Sequence, residues 1–310
     1  MNFDSGLLIE FYKKMYLIRA FESRLLTLFS EGFINGTVHT CIGQEGCDVG
    51  TVMSLDNERD IIFSNHRAHG HFITYCDKVE ELLAEIMGKA SGICGGIGGS
   101  QHLHYKNLYT NGIQGGIVPG AVGAALAEKK KMSGAIVMVF LGDGTMGQGV
   151  VYEGFNLASL WNLPIIFVLE DNEIAQTTLK KEAHAGNLSD RALPFDIKTE
   201  FVDSYSVEDV YSKVQNVVNF VRSESRPYFV HVKTYRFSPH SKGDDTRSKS
   251  EIEQILSRDA INHIKEKINP TKLVEIEINI NQRIELAVKK AKEDSELTFE
   301  DFLNRNCLDI

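Results

Sequence analysis

The chain has 310 residues, 43% of them hydrophobic and 24% charged, the composition of a globular protein able to bury a sizeable core in one large domain or two small ones. A formal charge of -9 gives no electrostatic basis for a nucleic-acid or anionic-membrane partner. Five cysteines without a C-x-x-C pair argue against a disulfide framework and a structural zinc site, so the thiols are expected to be reduced.

Met1 to Ala20 carries Asp4, Glu10, Lys13 and Lys14 within its apolar pattern, so it reads as neither a secretory signal nor a spanning helix, and a cytoplasmic location is expected. Leu8, Phe11, Met15, Ile18, Leu25 and Leu28 recur at helical spacing and predict a long amphipathic helix from Leu7 to Glu31. Gly36 to Gly50, GTVHTCIGQEGCDVG, reads as a loop with His39 running into a helix start, and Asp60 to Ser64 reads as a short strand. That strand delivers His66, Arg67, His69 and His71 within six residues. A lone histidine is usually structural, but four such groups after a strand favour an anion or a reacting oxyanion. Arg67 offers forked bonds to phosphate oxygens and His66 a further donor, while His69 is the candidate to face substrate.

Val79 to Met87 is a predicted helix. Gly92 to Ser100, GICGGIGGS, has a cysteine and isoleucines that a flexible linker lacks, so a shaped loop near a ligand is expected. His102 and His104 follow, and then Gly112, Gln114, Gly115 and Gly116, where small residues allow backbone to approach a planar ring. A helix is predicted from Pro119 to Met132, with Lys129 to Lys131 solvated at its C-terminal end.

Ala135 to Asn172 forms a βαβ unit: the run Ala135 to Leu141, the turn Gly142-Asp143-Gly144-Thr145, a helix carrying Val151, Phe155 and Ala158, and a second run opened by Pro164. Gly142, Gly144 and Gly147 satisfy the dinucleotide pattern G-x-G-x-x-G, a weak signal by itself. Asp143 would repel a pyrophosphate at the helix N-terminus unless a cation intervened, which favours magnesium with Asn172 as a second oxygen ligand. Glu173 to Pro194 is polar and reads as a loop over the site, Val207 to Val221 as a helix, and Tyr228 to Thr234 as a strand. The following tract, Tyr235 to Asp245, carries His240 as its candidate site residue, and its ordering is a candidate gate. Glu251 to Ile268 and Gln282 to Lys292 read as charged amphipathic helices for packing or subunit contact. The expected organisation is a cofactor-binding domain over 1–250 with a helical extension over 251–310.

The motifs GQEG at Gly43, HRAHGH at His66, GGSQH at Gly98, NGIQGGIVP at Asn111, GDG, EDN and YRFSPHSKGDD together resemble the alpha chain of the two-chain, thiamine-dependent 2-oxo acid dehydrogenase component, in its pyruvate and acetoin branch. The resemblance implies an α/β thiamine-diphosphate-binding fold, with a mostly parallel sheet flanked by helices and a helical C-terminal tail. It implies magnesium on Asp143, Asn172 and the Ile174 carbonyl. Around the cofactor it implies His66, Arg67, Gly142, Gly144, Thr145 and His240, with the backbone of Gly112 and Gln114 against the pyrimidine, and it places His69 and His240 on the reaction path. It also implies a beta subunit that supplies the carboxylate activating the cofactor, a small 2-oxo acid or acetoin as substrate, and a lipoyl acyltransferase partner. Gln114 stands where the family usually has Val or Leu, His66 where Tyr is frequent, Asp171 where Asn is, and Ser238 where His is. The polar changes near the reacting centre leave two alternatives open, a carboligase using another carbonyl acceptor and a non-catalytic subunit that keeps the pocket.

Overall fold

The computed structural model describes residues 3–241, 243 and 245–306; Lys242 and Asp244 of the expected gating tract and Cys307 lie outside them. In chain order the elements are α1 (Ser5–Ser30), α2 (Glu45–Val52), β1 (Ile61–Ser64), α3 (His69–Cys76), α4 (Val79–Ile86), β2 (His104–Tyr105), β3 (Leu108–Thr110), α5 (Val118–Lys131) and β4 (Val137–Gly142). They continue with α6 (Gly149–Leu160), β5 (Ile165–Asp171), β6 (Ile174–Ala175), β7 (Thr178–Leu179), α7 (Lys180–Ala183), β8 (Lys198–Asp203), α8 (Val207–Glu224) and β9 (Tyr228–Lys233). The C-terminal helices are α9 (Lys249–Leu256), α10 (Ala260–Lys265), α11 (Pro270–Glu293) and α12 (Phe299–Asn306).

Seven strands form one sheet in the order β2-β3-β1-β4-β5-β9-β8, parallel except for the short β2 edge. Both faces of its centre are covered, which is why β4 and β5 are continuous apolar runs. Met138, Phe140, Ile166 and Val168 face the core shared with α1, α2, α8 and α11. Val137, Val139, Leu141 and Phe167 face Val122 of α5 and Phe155 of α6. The chain leaves β1 toward β3 and leaves β4 toward β5, so the direction of winding reverses between β1 and β4, where α/β sheets open a crevice at their strand C-termini.

The predicted N-terminal helix, βαβ unit and strand before the histidines are all present, whereas other features differ from expectation: the segment from Glu173 to Pro194, expected as a loop, carries the antiparallel β6–β7 pair and α7, and β2 and β3 form an edge hairpin. β8, KTEFVD, was not anticipated: as an edge strand it buries only Val202 and so carries no apolar run. The expected helix from Glu251 to Ile268 is two helices, because Asp259 caps α10 by accepting from Ile261 N. The next begins at Pro270 rather than Gln282, with Asn269 accepting from Thr271 N and proline in the first turn, where its missing N–H costs nothing. This tail packs on the body through Tyr12 Oη, which donates to Glu277 Oε1 at 2.5 Å, and Arg283, which bridges Glu80 and Asp77.

The glycine loop is shaped around a buried side chain. The Glu85 carboxylate accepts from Cys94 N (2.7 Å), Gly96 N (2.8 Å), Gly98 N (2.6 Å) and Gly99 N (3.1 Å). A Cβ on Gly92 would meet Glu85 Oε2 at 2.4 Å and one on Gly98 would meet His102 O at 2.0 Å, so the glycines permit this close wrapping. Glu85→Gln turns an acceptor oxygen into an NH2 facing two N–H donors, and is expected to lower unfolding stability by about 1–3 kcal/mol in a denaturant titration. An unchanged midpoint would show that the loop does not need the carboxylate. Of the cysteines, Cys41, Cys47, Cys76 and Cys94 are free, and among the described residues no helix is long and apolar enough to cross a membrane.

Candidate active site

A cavity of about 380 Å³ opens at the C-terminal ends of the parallel strands. The segment after β1 contributes His66 and Arg67, that after β3 Gly112 and Gln114, and the end of β4 with its turn Gly142, Asp143, Gly144 and Thr145. Beyond β5 come Asn172 and Ile174, and beyond β9 comes His240. Eleven of the twelve expected positions therefore share one wall, reached from five strand ends far apart in the chain.

His69 is the exception. Expected to face substrate, it is fully buried in α3 and lies outside the cavity lining. Its Nδ1 is 3.1 Å from Glu22 Oε2 and its Nε2 is 2.9 Å from Ser100 Oγ. This has the connectivity of a Ser-His-acid triad, but with all three residues buried no substrate can reach the hydroxyl. The trio instead ties α1 and α3 to the glycine loop, and Glu22 also accepts from Cys41 N at 2.8 Å. The segment's fourth basic group, His71, stacks on Phe140 with ring centres 3.7 Å apart, and burial pushes its pKa down to about 3.

One side of the cavity is cationic. Arg67 donates to the Thr40 carbonyl, and its Nη2 lies 3.3 Å from His240 Nδ1. The rings of His39, His66 and His240 meet at centroid distances of 4.7–5.5 Å. Burial first, and then the charge of Arg67, hold the His66 pKa far below the usual imidazole range. Three imidazoles this close have the donor set of a metal site, but the charges of Arg67 and Arg236 oppose a divalent cation there and favour an anion.

The other side is acidic. Asp143 Oδ1 accepts from Gly144 N at 2.9 Å, whereas its buried Oδ2 has no hydrogen-bond partner among the described residues. Burial and the neighbouring Asp171 charge raise the Asp143 pKa to about 6, outweighing the opposing Gly144 N–H and the charges of Lys180 and Arg236. Asp171 itself is opposed by burial but held below the usual range by His231 (2.9 Å) and Lys180 (2.7 Å), so its charge is already engaged. An orphaned carboxylate oxygen beside the Asn172 carboxamide and the Ile174 carbonyl is an all-oxygen set of the kind magnesium takes.

Several wall residues went unrecognised in the sequence: Gln44, Asn65, Gln101, Glu170 and Arg236. Asn65 Nδ2 donates to Glu170 Oε2 at 2.7 Å and Gln44 Nε2 to Glu170 Oε1 at 3.3 Å, making a polar floor under the cavity. The available signal is that Asn65 directly precedes the HRAHGH motif and that Glu170 opens EDN, two residues before Asn172. The GQEG turn fits beneath β9's extension because Gly43, at φ +96, brings its Cα where any Cβ would strike Tyr235 O at 2.0 Å.

A sheet of this order, with a cationic side, an acidic side and a crevice at the strand C-termini, is the arrangement at which α/β proteins bind their ligands. The chain belongs to a particular family of such proteins: the family model described as dehydrogenase E1 component matches residues 13–300. It is 36% identical over 301 residues to the pyruvate dehydrogenase E1 component subunit alpha of Zymomonas mobilis, covering 94% of this chain and 85% of that protein. The same identity holds over 307 residues with the Rickettsia prowazekii protein of that name, at 95% and 94% coverage. It holds again over 302 residues with the alpha subunit of acetoin:2,6-dichlorophenolindophenol oxidoreductase of Bacillus subtilis, at 92% and 90%. The chain is thus an alpha-type subunit of an oxidoreductase acting on oxo groups, in a family that implies thiamine diphosphate.

Proposed function

We propose that this chain is the alpha subunit of a thiamine-diphosphate- and magnesium-dependent enzyme that cleaves a pyruvate-like 2-oxo acid or acetoin and passes the acyl group to a lipoyl group on an acyltransferase. The observation that carries it is the orphaned Asp143 Oδ2, sharing a cavity with two neutral oxygen ligands and facing an Arg67–His240 wall. Asp143, Asn172 and the Ile174 carbonyl hold magnesium, while Arg67 and His240 receive the diphosphate with His66 beside them in the wall. When bound, thiamine diphosphate supplies the carbon nucleophile and electron sink for breaking the bond beside a ketone. The chain's own residues orient the phosphates, exclude water and donate hydrogen bonds to oxygens that gain charge, a task for which His240 is placed in the wall. His69 serves by fixing Ser100 and the loop that ends in Gln101.

Among the described residues, the carboxylates lining the cavity are Asp143, which faces the cation, and Glu170, which accepts from Asn65 and Gln44. In keeping with the family resemblance, the acid that protonates the pyrimidine is assigned to a beta subunit. Isolated, the chain is expected to turn over nothing; with its beta partner, pyruvate or acetoin should reduce an artificial electron acceptor. Robust decarboxylation by the chain alone would defeat the shared-site reading, and activity that appears only with a second carbonyl compound would favour carboligation. Chelating the metal from the assembled pair should release thiamine diphosphate into the filtrate of an equilibrium dialysis, and magnesium should restore retention.

A further inference from the structure

We propose that Gln114 is a positioning residue that fixes the tautomer of His66, so that the ring presents a neutral Nε2–H to an anionic oxygen of the bound ligand. The Gln114 carboxamide joins two strand ends. Its Oε1 accepts from Thr145 Oγ1 at 3.1 Å, and its Nε2 lies 2.6 Å from His66 Nδ1 and 3.4 Å from the Gly112 carbonyl. The reversed amide would set Oε1 against the Gly112 oxygen, acceptor against acceptor, so the carboxamide has one favourable orientation. Gln114 Nε2 then donates to His66 Nδ1, which must be the unprotonated nitrogen. A neutral imidazole carries one ring proton, and it is left on Nε2.

That Nε2 is buried and has no hydrogen-bond partner among the described residues. Buried donors without partners are rare and are usually completed by a water, ion or ligand. The ring belongs to the cavity wall together with Arg67 and His240, whose chemistry suits an oxygen carrying negative charge. Burial first, and then the charges of Arg67, His39, His240 and Arg236, disfavour a second proton on the ring and favour the neutral imidazole. The ligand oxygen is either on the diphosphate or on the substrate's carboxylate or carbonyl. This ligand half of the inference rests on the cofactor reading above; the tautomer half does not.

The test uses the full chain assembled with its beta partner, labelled with 15N at histidine, with the His66 signals identified by their loss in His66→Asn. Wild type is expected to show an unprotonated Nδ1 and a protonated Nε2, unchanged across neutral pH. Gln114→Glu places a carboxylate that accepts from both Thr145 and the ring, moving the His66 proton to Nδ1; Gln114→Met removes the polarity at similar length and should leave a mixture of tautomers. With the donor lost, affinity should fall about ten- to a hundredfold. A rise in the thiamine diphosphate Kd with an unchanged substrate KM assigns the oxygen to the diphosphate, and a rise in KM alone, at saturating cofactor, assigns it to the substrate. A wild-type ring protonated at Nδ1, or a tautomer that moves in Gln114→Glu with neither constant changed, overturns the inference and leaves the cofactor reading intact. Failure of wild type to bind thiamine diphosphate with magnesium overturns the cofactor reading and the ligand half together, whatever the tautomer.

Discussion

Asp143→Ala in the assembled enzyme is expected to lower magnesium-dependent thiamine diphosphate affinity and turnover by about a thousandfold, the equivalent of the several kcal/mol that a metal bridge to phosphate supplies. The loss should not come from misfolding. Among the described residues Asp143 Oδ2 satisfies no group and Oδ1 takes only the adjacent Gly144 N–H, and burial and Asp171 oppose the carboxylate's charge more than Lys180 and Arg236 favour it. The apo-variant should therefore be at least as heat-stable as wild type, while the gain in melting temperature that wild type shows with cofactor and magnesium disappears. A variant that kept wild-type turnover would instead support a pocket retained as architecture.

Arg19→Met should have the largest effect on stability. Arg19 reaches from α1 to Glu45 Oε1 (2.5 Å) and Oε2 (2.9 Å), and to Asp259 Oδ2 (3.1 Å) at the cap of α10. Both acids are buried, so removal of the guanidinium leaves two uncompensated carboxylates, at a cost of about 3–5 kcal/mol. Thermal unfolding should begin roughly 5–10 °C lower. Arg19→Lys keeps the charge but loses the fork and should fall between the two. Because Glu45 also accepts from Gly43 N at 2.8 Å, the variant loosens the turn that sets Gln44 in the cavity wall, and cofactor affinity should drop with stability. A melting temperature within a degree or so of wild type would mean that solvent already screens the pair.

The parts of the fold that bury apolar surface were legible in the sequence. β4 and β5 are covered on both faces and α1 on one, and their residues carry that burial as runs and periods. β8 and the β2–β3 hairpin were not legible, being polar or only two to six residues long at the sheet edges, where pairing needs no apolar pattern. At the site, residue type and position after a strand were enough to select the cavity wall. They could not tell His66 from His69, three residues apart, because a side chain's direction depends on where α3 begins. The Gly-rich loop was read as a ligand neighbour because its true occupant, Glu85, lies in the preceding helix and looks like any helical acid. The two departures His66 and Gln114 were likewise read as separate changes, whereas a 2.6 Å contact makes them one unit.

The strand order has a consequence for how the chain is made. β8 leaves the ribosome before β9, yet β9 lies between β5 and β8 and pairs with both. β8 can therefore find no place in the sheet until β9 has been synthesised and has inserted. By then Asp143 and Asn172 are long complete, but Arg236 and His240 follow β9 and arrive only with that insertion. A nascent or C-terminally truncated chain stopping short of β9 carries the acidic side of the cavity and none of its Arg236–His240 wall. Such parallel pairings between distant segments close slowly, so the Arg236–His240 part of the cavity wall should be acquired with the insertion of β9 and not with the earlier closure of β1, β4 and β5.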